Sequence, residues 1–128
     1  MRITERGWIG HYICGDKCRF RRNTLIECNG VSVVVSTVGL QFDQETRDFD
    51  KFCNGSYFET KAFHVKEDDP RFRDADIGKE ISFGAKNYID FADADDIANA
   101  NHDIIVEEIK QELLNGNIYP ITEEKEKK

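Results

Sequence analysis

Asn29-Gly30 lies between two β-rich runs, and no other dipeptide in the chain restricts the fold as strongly. A two-residue type I′ turn needs φ > 0 at both central positions, and Asn-Gly meets that need at the lowest cost. The flanking runs are Arg19–Glu27 and Val31–Val38, the second reading Val-Ser-Val-Val-Val-Ser-Thr-Val. A hairpin from Arg19 to Val38 is therefore predicted, and the rest of the chain has to be built around it.

Trp8–Cys14 is aromatic and β-branched, which predicts a further strand with a bulge or close approach at Gly10. Gly15-Asp16-Lys17 then reads as a turn. Residues 40–56 are polar and acidic with interspersed Phe42, Phe49 and Phe52, which predicts a long loop with at most one helical turn. Tyr57–Lys66 alternates as a strand, with Phe58, Ala62 and His64 on one side and Tyr57, Glu59, Phe63 and Val65 on the other. Residues 67–78 read as a charged loop, and Ile81–Phe83 and Tyr88–Phe91 as short strands.

The pattern changes after Ala94. Ile97, Ala100 or Asn101, Ile104, Ile105, Ile109 and Leu113 recur at three- and four-residue spacing, the mark of an amphipathic helix. Asp93-Ala94-Asp95-Asp96 supplies capping oxygens and negative charge at its start. Asn115-Gly116 ends it. The fold class expected is α+β: a mainly antiparallel β-sheet in the N-terminal two-thirds, covered by one long C-terminal α-helix. Residues 1–121 form one domain on this reading, and 122–128 a charged disordered tail.

The 128 residues suffice for one core without staples. No apolar run approaches 18 residues, so no membrane span is expected. The N-terminus lacks the apolar stretch of a signal peptide, which predicts a cytoplasmic protein. Cys14, Cys18, Cys28 and Cys53 are then expected as free thiols. Cys14-x-x-x-Cys18 is one residue longer than the usual zinc or redox pair, and no second close pair follows, so neither metal nor cofactor is expected.

Charge is unevenly placed. The first 22 residues hold six Lys/Arg against two acids, while the other 106 hold twelve against 23. The basic stretch Arg19-Phe20-Arg21-Arg22 lies on the first hairpin strand. Strand alternation points Arg19 and Arg21 one way and Phe20 and Arg22 the other, with like-facing residues ~7 Å apart. Guanidinium forks bind phosphate bidentately, so a small phosphorylated, nucleotide-like ligand is the expected partner. Arg19, Arg21 and Arg22 would hold phosphate. Trp8, Tyr57 or Phe83 would stack on a base, His11 and Tyr12 on the strand with Trp8 are further stacking candidates, and Asn23 or Glu59 would read polar edges.

A net charge of −7 opposes a nucleic-acid backbone over most of the surface, so direct nucleic-acid binding is not expected. An acidic surface can instead occupy a nucleic-acid groove on another protein, such as a nuclease or surveillance complex, which makes an inhibitor the second reading. A small nucleotide-acting hydrolase using a histidine and an acid is the third. Ser32, Ser36 and Thr37 lie in a strand without a nucleophile elbow, and no spacing forces any two of His11, His64 and His102 together, so the reading leans away from an enzyme and assigns no catalytic residue. His102, next to Asp103, reads as a partly exposed residue. The acids at Asp74, Asp76, Asp90, Asp93, Asp95 and Asp96 read as loop and cap residues.

Four strings carry a resemblance: Arg6-Gly7-Trp8-x-Gly10-His11, Cys18-x-Phe20-Arg21-Arg22-Asn23-Thr24-Leu25, Val34-Val35-Ser36-Thr37-Val38-Gly39 and Tyr57-x-Glu59-Thr60-x-Ala62-Phe63-His64. Over roughly residues 5–115 the chain resembles a family of small phage and prophage proteins without an assigned role. In size and layout it is also similar to the phage anti-Thoeris sponge proteins. That likeness implies a protein that sequesters a nucleotide-derived immune signal, such as a cyclic ADP-ribose isomer, without cleaving it. It also implies a homo-oligomer, a dimer or higher, and unpaired sheet edges point the same way.

Overall fold

A computed structural model describes residues 1–8, 11, 18–51, 57–68, 71–82 and 95–118. Six strands and one helix occur there: β1 Arg2–Arg6, β2 Cys18–Cys28, β3 Val31–Asp43, β4 Asp48–Asp50, β5 Phe58–Val65, β6 Ala75–Ile81 and α1 Asp95–Leu114. The strands form one antiparallel sheet in the order β1-β2-β3-β5-β6, with β4 pairing β3 off that path. Fold class and the order of sheet and helix agree with the sequence reading.

The β2–β3 hairpin is the frame. Asn29 has φ 52° and Gly30 φ 80°, as the type I′ turn requires. Register runs from Cys28↔Val31 out to Cys18↔Gln41. Val33, Val34 and Val35 are all fully buried. Three consecutive buried valines mean that both faces of β3 are covered, which is why this strand shows no polar alternation.

Helix α1 covers one face. Ile105, Ile109 and Leu113 pack on Ile26, Val33, Val35 and Ala62. The buried helix positions are Ala98, His102, Ile105, Ile109 and Leu113, while Ile97 and Ile104 are exposed. The apolar stripe is thus displaced from the expected one, and His102 lies in the core rather than partly exposed. Spacing alone could not choose between two overlapping stripes, since isoleucines populate both. The helix ends in a Schellman motif: Gly116 has φ 76°, Asn117 N–H bonds Glu112 O at 2.9 Å and Gly116 N–H bonds Leu113 O at 3.1 Å.

The other face has its own apolar cluster of Leu25, Val34, Phe63 and Ala75. Residues 72–74 form a strap over it. Arg73 has φ 52°, a left-handed conformation unusual for a side-chain-bearing residue.

Two expectations are corrected and one strand is added. Arg2–Arg6, to which the sequence reading assigned no element, is an edge strand paired with Asn23–Glu27. Within the expected 40–56 loop, β3 continues to Asp43 and turns into β4. Asp43 makes that turn, accepting Glu45 N–H at its side chain (2.8 Å) and Arg47 N–H at its carbonyl (2.8 Å). The late strand is Ala75–Ile81: it takes the last four residues of the expected 67–78 loop and ends at Ile81, where the expected Ile81–Phe83 strand would begin. Trp8 and His11 lie outside regular structure. The rest of the expected Trp8–Cys14 strand, apart from those two residues, and the Tyr88–Phe91 strand lie outside the described residues.

A third cluster sits at the far end of the hairpin. Phe20, Gly39 and Phe58 are register partners across β2, β3 and β5. With no side chain at Gly39, the Phe20 and Phe58 rings meet edge to face above it, centroids 5.3 Å apart at 82°. A Cβ at position 39 would lie 2.1 Å from the Phe58 ring.

Candidate functional site

Each sheet face carries a buried polar constellation. On the helix face, His102 is fully buried between β2 and β3. Its Nε2 is 2.8 Å from Thr24 Oγ1 and its Nδ1 is 2.7 Å from Thr37 Oγ1. The Thr24 hydroxyl donates to Glu5 at 3.0 Å, so it accepts from His102 Nε2–H. Nδ1 is then the acceptor for the Thr37 hydroxyl, which in turn accepts from Thr60 at 2.7 Å. The hydrogens run one way, from Thr60 through Thr37, His102 and Thr24 to the Glu5 carboxylate. Burial, and after it the nearby Arg22 charge, lowers the His102 pKa to about 4, against the opposing pull of Glu5 and Asp103. The ring is therefore neutral at pH 7.

Arg22 closes this chain. Its guanidinium contacts Glu5, donates to Asp103 Oδ1 at 2.8 Å and reaches Asn99 O at 3.3 Å. Burial alone would lower its pKa, but the hydrogen bonds to Glu5 and Asp103 outweigh this and raise it above the ordinary arginine value. Arg22 thus ties the sheet edge to the helix.

The face away from the helix holds the second constellation. Arg6 and Asn23 are cross-strand partners, so their side chains share this face. Arg6 donates to Asn23 Oδ1 from Nε at 3.1 Å and from Nη2 at 2.8 Å. It also holds the strap by its carbonyls, contacting Phe72 O and donating to Arg73 O at 3.2 Å. Trp8 lies beside it, the guanidinium carbon 4.6 Å from the ring centroid, and its indole N–H donates to Asp74 at 2.9 Å.

Next to Asn23 is Ser36, its partner on β3. Ser36 Oγ is 2.7 Å from His11 Nδ1, and His11 Nε2 is 3.2 Å from Glu59 Oε1. Arg6, His11, Asn23, Ser36 and Glu59 are all buried. One polar atom in this group has no partner: Asn23 Nδ2, a fully buried donor. Its orientation is fixed, because turning the amide over would set NH₂ against the Arg6 guanidinium. A buried donor without an acceptor costs about 1–3 kcal/mol, and none of the described residues supplies one here.

The structure brings Trp8, His11, Asn23 and Glu59 together. Arg21 is exposed two positions along β2 on the same face, bonded at Nε to Cys18 O (3.1 Å). Arg19 is exposed and stacks on the cross-strand pair Phe42 and Phe49, at 4.7 and 5.9 Å from their centroids. Arg22 lies on the opposite face, so the three arginines do not converge on one phosphate. Tyr57 packs at the Phe20–Phe58 end of the sheet beneath Lys51, whose ammonium is 5.6 Å from the ring centroid. Phe83 and Tyr12 lie outside the described residues.

Sequence reasoning did not find Arg6 or Ser36. Both are cross-strand partners of Asn23: Arg6 through the unforeseen edge strand, Ser36 through the β2–β3 hairpin. Among the described residues no group of three metal-binding side chains occurs, and no helix is long and apolar enough to cross a membrane.

The Asn23 amide can donate to an acceptor-bearing group brought against it. Arg21 and Lys61 stand as cations on the same face, and Trp8 as an exposed aromatic. No family model matches the chain, and neither a similar curated protein nor a similar solved structure is found for it.

Proposed function

We propose that the protein binds a small nucleotide-derived anion in a recess that opens at Asn23 when His11 moves aside, and holds it without turning it over. The supporting observation is Asn23 Nδ2, a buried donor with no hydrogen-bond partner among the described residues. A nucleobase edge carries such an acceptor. Arg21 supplies a guanidinium for phosphate on the same strand face, and Trp8 supplies an exposed ring for stacking. Uptake breaks the His11 bonds to Ser36 and Glu59, each worth about 1 kcal/mol, and contacts to the ligand replace them. Sequestration of a host immune signal, the role implied by the phage resemblance, belongs to this proposal.

Purified protein is denatured by heat and the released small molecules are identified by mass spectrometry. An intact nucleotide-like species is expected from the wild type and is expected to be missing from Asn23→Asp, which keeps the Arg6 contact but turns the unpartnered donor into an acceptor. A folded wild-type protein that releases no such species, and binds none by calorimetry, overturns the reading.

The Glu59–His11–Ser36 chain favours a second reading. In the neutral ring, Nε2–H donates to Glu59 and Nδ1 accepts from Ser36, the order of orienter, base and nucleophile. On that reading the protein is a hydrolase. A serine-directed fluorophosphonate probe separates the two: covalent labelling that is lost in Ser36→Ala supports hydrolysis, and an unlabelled protein with an intact bound ligand supports sequestration.

A further inference from the structure

At the hairpin end of the same face, a cleft of about 430 Å³ is lined by Arg2, Glu27, Ser32, Arg73 and the Asn29-Gly30 turn. That volume is within the range of small-molecule sites. Arg2, Glu27 and Ser32 are register partners across β1, β2 and β3 and form one row on this face. Arg73 reaches the row from the strap, donating through Nη1 to Glu27 at 2.6 Å and to Ser32 at 3.0 Å.

The placement of Arg73 is built rather than incidental. Its backbone is left-handed, and Arg6 holds the carbonyls of residues 72 and 73. Strain of order 1 kcal/mol persists only where surrounding contacts enforce it. Arg6 enforces it here, and the result is a second guanidinium in the cleft. Arg73 Nε and Nη2 carry further donors, and Arg2 has no ion pair among the described residues. Two guanidinium groups face one carboxylate, so the cleft is locally cationic on a chain of net charge −7.

We propose that this cleft is a second anion site, independent of the Asn23 recess, and that it takes the phosphate of a phosphomonoester. One arginine fork saturates a carboxylate, which has two oxygens. Two separated forks match a tetrahedral group with three terminal oxygens.

The test follows the backbone amides of Asn29 and Gly30 and the arginine side-chain N–H signals by NMR, at low ionic strength, during titration with inorganic phosphate and, separately, with acetate. Saturable shifts with phosphate are expected, with acetate about ten-fold weaker, a difference of 1.4 kcal/mol. Arg2→Gln breaks no side-chain hydrogen bond or ion pair among the described residues and is expected to weaken phosphate binding roughly five-fold or more. Asn23→Asp is expected to leave the phosphate titration unchanged, so loss of the recess ligand and loss of the cleft are separate results. Non-saturating shifts, equal affinity for acetate, or an Arg2→Gln titration matching the wild type would overturn the proposal.

Discussion

Arg6 grips the side-chain oxygen of Asn23 with two nitrogens, at 3.1 and 2.8 Å, and so fixes the amide nitrogen of Asn23 where none of the described residues accepts from it. The same guanidinium holds the 72–74 strap. One edge-strand residue therefore orients the candidate binding group and positions Arg73.

Arg6→Lys replaces a planar fork by a point charge that cannot serve Asn23 and both strap carbonyls together. A loss of about 2–3 kcal/mol in folding stability is expected, since the hydrogen bonds removed involve a charged donor. Amide hydrogen exchange should accelerate at residues 71–75 well before it does in β2 or β3. Uniform acceleration across the sheet would contradict the strap's dependence on Arg6.

His102 gives the stability a pH dependence. Its ordinary pKa is near 6.5 and burial lowers it to about 4 in the fold. Between these values the unfolded chain binds the proton and the folded chain does not, so stability is fully present above pH 6.5 and falls as pH drops toward 4. The whole window is worth about 3 kcal/mol at 1.36 kcal/mol per pH unit. Urea unfolding at a series of pH values should show this decline, and His102→Gln should flatten it in the same window. An unchanged profile in the variant would assign the pH dependence to other groups.

Gly39→Ala places a methyl group against the Phe58 ring at a distance no side chain tolerates. Either Phe58 or the β3–β5 pairing has to move, and overpacking of this kind costs about 1–3 kcal/mol. Pairing the change with Phe58→Leu should recover part of the loss. Equal destabilisation by the single and double variants would place the strain elsewhere.

The hairpin, the helix and the order of sheet and helix were legible because each rests on local chemistry: Asn29-Gly30 for the turn, three- and four-residue apolar spacing for the helix, Gly116 for its end. Strand alternation also separated Arg22 from Arg19 and Arg21. Sequence could not show what those guanidinium groups meet. Glu5 and Asp103 claim Arg22, and Phe42 and Phe49 claim Arg19, through contacts between elements far apart in the chain. Arg6 was given no role, and Ser36 was weighed only as a nucleophile, because they join Asn23 through the β1–β2–β3 register. His102 was misplaced because two helix stripes are nearly equally apolar, and Thr24 and Thr37, which satisfy its ring, lie on other strands.

The most direct measurement is a crystal structure of the protein purified with its native small-molecule content, at a resolution that distinguishes water from ligand beside Asn23. The account predicts an oxygen or nitrogen of an organic phosphate within hydrogen-bond distance of Asn23 Nδ2, with the His11 contacts to Ser36 and Glu59 broken. A single water on Nδ2, with His11 still bonded to both, would contradict it.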